Sequence, residues 1–187
     1  MSTRITGGSE RGRKVLSTNK AGLRPTSERL RSAIFSIVGL GVVQGARVLD
    51  LYAGTGALGI EALSRGAVWA EFVEMDSRRC KDIRQNLVQM QFAEIGYVYR
   101  AKVENVWRML RGNYDLVLVD PPYDLDPWEL LMKELWSRQI LNQNALVVAE
   151  HHKNLCVAKR YGYLSLTSER RHGDSSLSIY KCEEANV

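Results

Sequence analysis

With 187 residues, 45% of them hydrophobic and 25% charged, the chain has the length of one domain plus a short appendage and the composition of a globular protein, which excludes two full domains, disorder and a fibrous repeat. The net charge of +5 is unevenly placed: residues 1–31 hold eight Arg and Lys against two Glu, a net of +6, so the remaining 156 sum to −1. A basic lobe on a near-neutral body suits a phosphate-rich partner, because each neutralised phosphate releases counterions; a solvated tail is the alternative that charge alone leaves open. The longest nearly apolar run, residues 33–43, is broken by Ser36, Gly39 and Gly41 and is too short to span a membrane. No apolar segment follows the charges of the N-terminal MSTRITGGSERGRK, unlike a secretory signal, and the expectation is a soluble cytoplasmic protein.

The first 25 residues are rich in Gly, Ser, Thr and Arg, with short alternating pieces at Arg4-Ile5-Thr6 and Lys14-Val15-Leu16. They predict a small hairpin or arm over residues 1–26, with the main domain over 27–187. Leu30, Ala33, Ile34, Ile37 and Val38 recur at helical spacing behind Thr26-Ser27, predicting a helix over 27–38. Beyond Arg47, strands are predicted over 48–52, 70–73, 97–100, 116–119 and 145–149, separated by helices over 58–65, 77–92, 103–111 and 127–140. Strand and helix in alternation imply right-handed crossovers and a parallel sheet covered on both faces. The tail breaks that rhythm: residues 160–167 and 176–182, joined by 168–174, predict a closing antiparallel pair. Cys80, Cys156 and Cys182 are odd in number and far apart, with no C-x-x-C pair, and are expected as reduced, buried thiols. The adjacent His151 and His152 point different ways on a helix or a strand and cannot grip one metal as an i, i+4 pair does, so no metal is expected.

The first core strand runs into Asp50-Leu51-Tyr52-Ala53-Gly54-Thr55-Gly56-Ala57-Leu58-Gly59, with Gly54, Gly56 and Gly59 in G-x-G-x-x-G register. Glycines there permit a tight bend and close backbone approach to a nucleotide-like ligand. The next strand ends at Glu74, where a carboxylate can accept both hydroxyls of a ribose. A pyrophosphate disfavours a carboxylate nearby, whereas Asp50, four residues ahead of Gly54, suits a ligand with an ammonium and a sulfonium; S-adenosylmethionine is such a ligand. The expected cofactor set is Asp50, Tyr52, Ala53, Gly54, Thr55, Gly56, Gly59, Glu74 and Met75.

After a later parallel strand the chain reads Asp120-Pro121-Pro122-Tyr123. Ligands of open α/β sheets sit beyond the carboxyl ends of the strands, so this tetrapeptide is expected to face the same crevice as the glycine bend. Two prolines fix φ and lack N–H donors, leaving a stiff, acceptor-only surface beside an aromatic ring. Such a surface fits an exocyclic base amine: Asp120 and the Pro121 carbonyl hold its N–H groups and Tyr123 stacks on the ring. Alignment and desolvation then carry most of the catalysis, and Asp120 can take the proton. Asp120, Pro121, Pro122 and Tyr123 are the expected catalytic set. Trp69, Trp107, Trp128 and Trp136 are expected to pack, with a stacking role left open for Trp128.

Together, Arg4 to Gly8 (RITGG), Arg24-Pro25-Thr26 with Arg29, the stretch DLYAGTGALGIEALSRGA from Asp50, Glu71-Phe72-Val73-Glu74, Asp120 to Tyr123, and Tyr180 preceded by Arg171-His172-Gly173-Asp174 resemble the RsmD family, the bacterial small-subunit ribosomal RNA guanine-N2 methyltransferases. The resemblance runs from about Arg4 to Cys182. It implies a class I methyltransferase fold and transfer of methyl from S-adenosylmethionine to the N2 amine of one guanine in 16S RNA, on the small subunit or an assembly intermediate, by a monomer without a membrane partner. By motif position it implies that Asp50, Gly54, Gly56 and Glu74 hold the cofactor and Asp120, Pro121 and Tyr123 the guanine, while Arg4, Arg11, Arg13, Lys14 and Arg24 meet RNA phosphates. The family usually has an acid just after the third strand; in this chain Lys102 takes about that place, which leaves the adenine to backbone groups or to Glu104, and the contact stays unassigned.

Asp120 to Tyr123 serve any exocyclic amine, so an adenine-N6 or cytosine-N4 methyltransferase remains an alternative, as does a non-catalytic RNA-binding assembly factor. No DNA-reading domain is left over in the chain, Asp50 disfavours a nicotinamide dehydrogenase, and a protein-glutamine methyltransferase usually begins its tetrapeptide with Asn.

Overall fold

The structure is a computed structural model and describes residues 3–17 and 26–183. Five parallel strands, β3 (Arg47–Leu51), β4 (Trp69–Glu74), β5 (Gly96–Arg100), β6 (Tyr114–Val119) and β7 (Leu141–His152), continue into β8 (Arg160–Tyr161), β9 (Leu164–His172) and β10 (Ser175–Cys182), which close the sheet antiparallel. The spatial order is β5-β4-β3-β6-β7-β10-β9-β8. The chain moves outward from β3 through β4 to β5 and then crosses back to β6, so the strand order reverses between β3 and β6. Ligands of such sheets bind at that point.

Side chains along a strand alternate between faces. Val48, Phe72, Leu116, Leu118 and Val148 pack on one face with α1 (Glu28–Val38), α3 (Ala57–Ser64) and α4 (Ser77–Gln89). Leu49, Leu51, Val117, Val119 and Val147 pack on the other with α5 (Val103–Val106) and α6 (Trp128–Ser137). Local chemistry starts and stops the helices. The Ser27 hydroxyl accepts from Leu30 N–H (3.1 Å), and α1 ends at Gly39, φ 82°, before the short α2 (Leu40–Val43). Asp76 caps α4 by accepting from the N–H groups of Arg78 and Arg79.

The N-terminal segment is a hairpin, β1 (Thr3–Arg4) paired antiparallel with β2 (Lys14–Val15), and it is fastened to the body. Ile5 and Val15 are buried in the same core as α1 and α3. Beneath the hairpin, Arg31 and Glu61 are both fully buried, with Nε 3.5 Å from Oε2. Arg31 donates to the carbonyls of Thr26 and Arg4 (2.5 Å each), and Glu61 accepts from the Thr6 N–H, the Thr6 hydroxyl and Arg65. Burial lowers the Arg31 guanidinium from its usual range and Glu61 opposes that shift.

The element order matches the sequence reading, with four corrections. The helix expected over 103–111 ends at Val106, and Gly112 and Asn113 take left-handed φ of 75° and 60° in the turn that feeds β6. β7 is longer than 145–149, and an irregular register against β6 admits Asn144 at φ 64°. The expected 168–174 connection is mostly strand: β9 pairs with β10 as far as His172, leaving only Gly173 and Asp174 to turn. Its charges misled, since a polar segment can pair through its backbone when its side chains face outward. Finally, only Cys80 of the three cysteines is buried; Cys156 is exposed and Cys182 half-buried, each in the irregular or edge structure of the tail. Among the described residues no helix is long and apolar enough to cross a membrane.

Removing one partner of a fully buried ion pair strands the other charge. Glu61→Ala is therefore expected to lower stability by about 3–5 kcal/mol, a fall in Tm of roughly 10 °C for a chain of this size. Thermal unfolding followed by circular dichroism checks it; a shift below about 2 °C would show that Arg31 finds another partner.

Candidate active site

The parallel register determines where the polar side chains emerge. β3 and β4 pair Asp50 with Phe72, β3 and β6 pair Asp50 with Leu118, and β6 and β7 pair Val119 with Ala149. Glu74, Asp120 and Glu150 therefore stand level at the carboxyl ends of neighbouring strands, with Asp50 one pleat lower, and all four continue the face that carries Phe72, Leu118 and Val148. They line one cavity of about 1080 Å³. That lies at the top of the roughly 300–1,000 Å³ range of small-molecule clefts, so it has room for a cofactor and a second planar group.

At one end the chain bends sharply. Tyr52, Gly54 and Gly56 have φ of 60°, 56° and 75°, and Gly56 starts α3. Two buried carboxylates hold this bend. Glu74 accepts from the Gly54 N–H (2.9 Å) through one oxygen and from the Asp76 N–H (2.8 Å) through the other. Asp50, 1% exposed, accepts from the Gly59 N–H (2.9 Å). Burial pushes the Asp50 carboxyl up to about 8; the Gly59 bond works against this, and the charges of Asp120 and Glu74 add to it. That Asp50 feels Asp120 electrostatically means that the two motifs read from the sequence meet in one place.

Of the expected cofactor residues, Asp50, Tyr52, Ala53, Gly54, Thr55, Glu74 and Met75 line the cavity. Gly56 and Gly59 are not among the residues that line it. Gly56 supplies the left-handed start of α3. A Cβ on Gly59 would lie 2.3 Å from the Phe72 ring and 3.1 Å from the Asp50 carboxylate, so that glycine is needed for helix-to-strand approach. Lys102 and Glu104 both reach the cavity, and burial, with Glu104 nearby, pushes the Tyr52 phenol up to about 12.

At the other end stand Asp120 to Tyr123, all lining the cavity. Pro121 is buried, and the Pro122 carbonyl accepts from the Leu125 N–H (2.9 Å), which closes the loop on itself. Two contacts at this end were not read from the sequence. The Thr26 hydroxyl donates to Asp120 Oδ2 (2.5 Å), linking Thr26 to the expected catalytic set. The Tyr123 hydroxyl lies 2.5 Å from Ser175 Oγ, which donates to Glu150 Oε1 (2.9 Å). Tyr123 is 38% exposed and meets the His152 ring edge-on, with centroids 5.6 Å apart. Trp128 is buried, with an edge contact to His151, and packs rather than stacks on a ligand.

The cavity is also lined by Arg29, Arg79, Arg171 and His172, none of which was assigned a role from the sequence. Arg171 and His172 fall in the stretch expected only to join two strands. Glu150 had a readable signal, an acid at the carboxyl end of a parallel strand. The expected RNA-facing cations lie elsewhere. Arg4, Arg11, Arg13 and Lys14 belong to the hairpin, which rests on the C-terminal end of α3 through Ser9 N–H to Ser64 O (2.8 Å), and none lines the cavity. Arg4 donates to Gly12 O (2.7 Å), and Arg13 meets Glu10 (2.9 Å) and Gln89 O (2.7 Å). Arg24 lies outside the described residues. Among those residues, no three His, Cys, Asp or Glu side chains gather as a metal site.

Comparison with known proteins agrees with this geometry. A family model described as Conserved hypothetical protein 95 matches residues 3–181. Ribosomal RNA small subunit methyltransferase D of Escherichia coli K12 is 32% identical over 96% of this chain and 90% of its own, and the Bacillus subtilis protein YlbH 30% over 95% and 98%. The solved structure of the Escherichia coli protein yhhF superposes with a TM-score of 0.85 at 29% identity, covering 98% of this chain and 99% of that one. The mostly parallel sheet, its antiparallel closing strands and the bend at the strand-order switch are those of a class I methyltransferase, and the chain belongs to the Conserved hypothetical protein 95 family, the RsmD-type methyltransferases.

Proposed function

We propose that this protein transfers a methyl group from S-adenosylmethionine to the exocyclic N2 amine of a guanine in small-subunit ribosomal RNA, acting as a monomer on the small subunit or an assembly intermediate. One observation carries the reading: the glycine bend and the Asp120 to Tyr123 loop line one cavity, close enough for Asp120 to raise the pKa of Asp50. The donor set fits the cofactor. Two buried carboxylates beside the bend repel a pyrophosphate and attract a cation, so Asp50 would hold the ammonium end and Glu74 the ribose, and Tyr52, Ala53, Gly54, Thr55 and Met75 would complete the set. Bound there, the cofactor supplies an electrophilic methyl on a good leaving group.

The chain's residues supply position. The amine lone pair of guanine is delocalised into the ring and is weakly nucleophilic. Asp120, oriented by the Thr26 hydroxyl, and the Pro121 carbonyl take the two amine hydrogens, which draws the lone pair out of the ring toward the methyl. Tyr123 stacks on the base. As the amine takes up the methyl, Asp120 would receive the displaced proton or pass it to water. The RNA backbone is met by the hairpin cations Arg4, Arg11, Arg13 and Lys14, by Arg24, and by Arg29 and Arg171 at the cavity itself.

Asp120→Ala is expected to reduce methyl transfer to small subunits lacking the modification by about 10²–10⁴-fold, with the affinity for S-adenosylhomocysteine within a few-fold. Tritium transfer and nucleoside digestion measure both outcomes. N6-methyladenosine or N4-methylcytidine in place of N2-methylguanosine would end the reading. Cofactor affinity should also depend on pH. An acid raised to about 8 keeps its proton in the folded protein from pH 4 to 8, where the unfolded chain has lost it, so the free protein loses that stability as pH rises through this window. A cationic ligand needs the ionised form; its binding at pH 7 releases a proton and strengthens between pH 6 and 8 by up to about tenfold per unit. Calorimetry in buffers of different ionisation heat detects this release, which Asp50→Asn should abolish. For the hairpin, neutralising Arg11, Arg13 and Lys14 together should lower the salt dependence of RNA binding by about one unit of slope per lost contact and spare cofactor binding. An unchanged slope would move the RNA to another face.

A further inference from the structure

Asp120 to Tyr123 hold an exocyclic amine without telling one base from another, so a guanine-specific enzyme needs a second determinant in the same cavity. We propose that Glu150 is that determinant, accepting the N1–H of the guanine whose N2 amine Asp120 holds; the inference rests on the guanine reading above.

Register places the two acids together. Val119 and Ala149 are partners in the parallel β6–β7 pair, so Asp120 and Glu150 follow at the same level on neighbouring strands, which lie about 4.8 Å apart. Both continue the face of Leu118 and Val148, and both line the cavity. Guanine offers two adjacent donors on its Watson–Crick edge, N1–H and the N2 amine, at a spacing that two level acceptors on adjacent strands can meet. Adenine and cytosine pair their exocyclic amine with a bare ring nitrogen, an acceptor. Against Glu150 that nitrogen would set one lone pair against another and leave the carboxylate unsatisfied in a dry site.

The side chain is held for this contact. Glu150 is 5% exposed, and Ser175 Oγ donates to its Oε1 at 2.9 Å. A serine hydroxyl has one hydrogen, which Ser175 directs to Glu150, so in the 2.5 Å contact between Tyr123 and Ser175 the phenol is the donor. The chain Tyr123 to Ser175 to Glu150 thus fixes the stacking ring and the edge-reading carboxylate as one unit, on β10 and β7, while Asp120 is fixed from the other side by Thr26. A ring laid on Tyr123 presents its edge to both acids.

The test uses the full-length protein and small subunits reconstituted with 2,6-diaminopurine at the target position. This base keeps the N2 amine but has a bare N1 in place of N1–H. The wild-type protein should methylate guanine over diaminopurine by about 10–100-fold in kcat/KM. In Glu150→Gln, whose amide can either accept from N1–H or donate to N1, the preference should fall to within a few-fold. Thermal shift with S-adenosylhomocysteine confirms that the variant binds cofactor as the parent does. Equal use of both bases by the wild type overturns the role of Glu150 whether or not the variant folds, and so does undiminished discrimination in Glu150→Gln. In either case N2-methylguanosine in the guanine product leaves the proposed function standing, whereas its absence overturns both.

Discussion

The site depends on one constraint: four neighbouring parallel strands in fixed register, each ending in an acid on the same face. Because side chains alternate with period two, a slip of one residue in any of β4, β3, β6 or β7 would turn Glu74, Asp50, Asp120 or Glu150 into the opposite core. The apolar residues behind them prevent the slip. Leu49, Leu51, Val117, Val119 and Val147 fill one layer, Val48, Phe72, Leu116, Leu118 and Val148 the other, and both layers are almost wholly buried. The catalytic geometry is thus set by hydrophobic packing well below it.

Collecting carboxylates in one cavity is unfavourable, and backbone donors offset part of that at Glu74 and Asp50. Gly54, Gly59 and Asp76 each give an N–H to Glu74 or Asp50. Those same bonds shape the bend, so the acids proposed to attract the cofactor also hold the bend open. The compensation is incomplete for Asp50, whose carboxyl is pushed up to about 8. A ligand carrying positive charge relieves the remaining repulsion, whereas a phosphate would add to it. Electrostatics therefore selects between the two nucleotide-like ligands that a glycine-rich bend can hold.

Much of this was legible in the sequence because it depends on local chemistry. Gly54 and Gly56 announce a bend, Pro121 and Pro122 a stiff acceptor loop, and period-two against period-3.6 patterns order the elements. The parts that were not legible are contacts between distant segments. Nothing local in Thr26, Ser175 or Glu150 says that the first meets Asp120 across 94 positions or that Ser175 joins Tyr123 to Glu150. Gly59 shows the opposite limit: it fits a nucleotide-binding fingerprint, yet the space it leaves is taken by Phe72 and Asp50. A motif records that a glycine is needed, and only packing shows which atom needs it.

The N-terminal hairpin illustrates how charge can single out a segment without showing its mechanics. Its basic residues suit a phosphate-rich partner, while its physical tie to the cavity runs through a fully buried arginine. Arg31 donates to the carbonyls of Arg4 and Thr26, and the Thr26 hydroxyl donates to Asp120. Three hydrogen bonds therefore connect the hairpin to the residue that orients the amine. Glu61 keeps Arg31 in place from below and grips Thr6 as well, so the hairpin cannot shift without straining a pair that has no solvent to fall back on. On the proposed reading, an RNA seated on the hairpin would act through a chain of hydrogen bonds that ends at Asp120. The basic lobe, which composition alone assigns to phosphate attraction, would then share in the alignment on which a weak nucleophile depends.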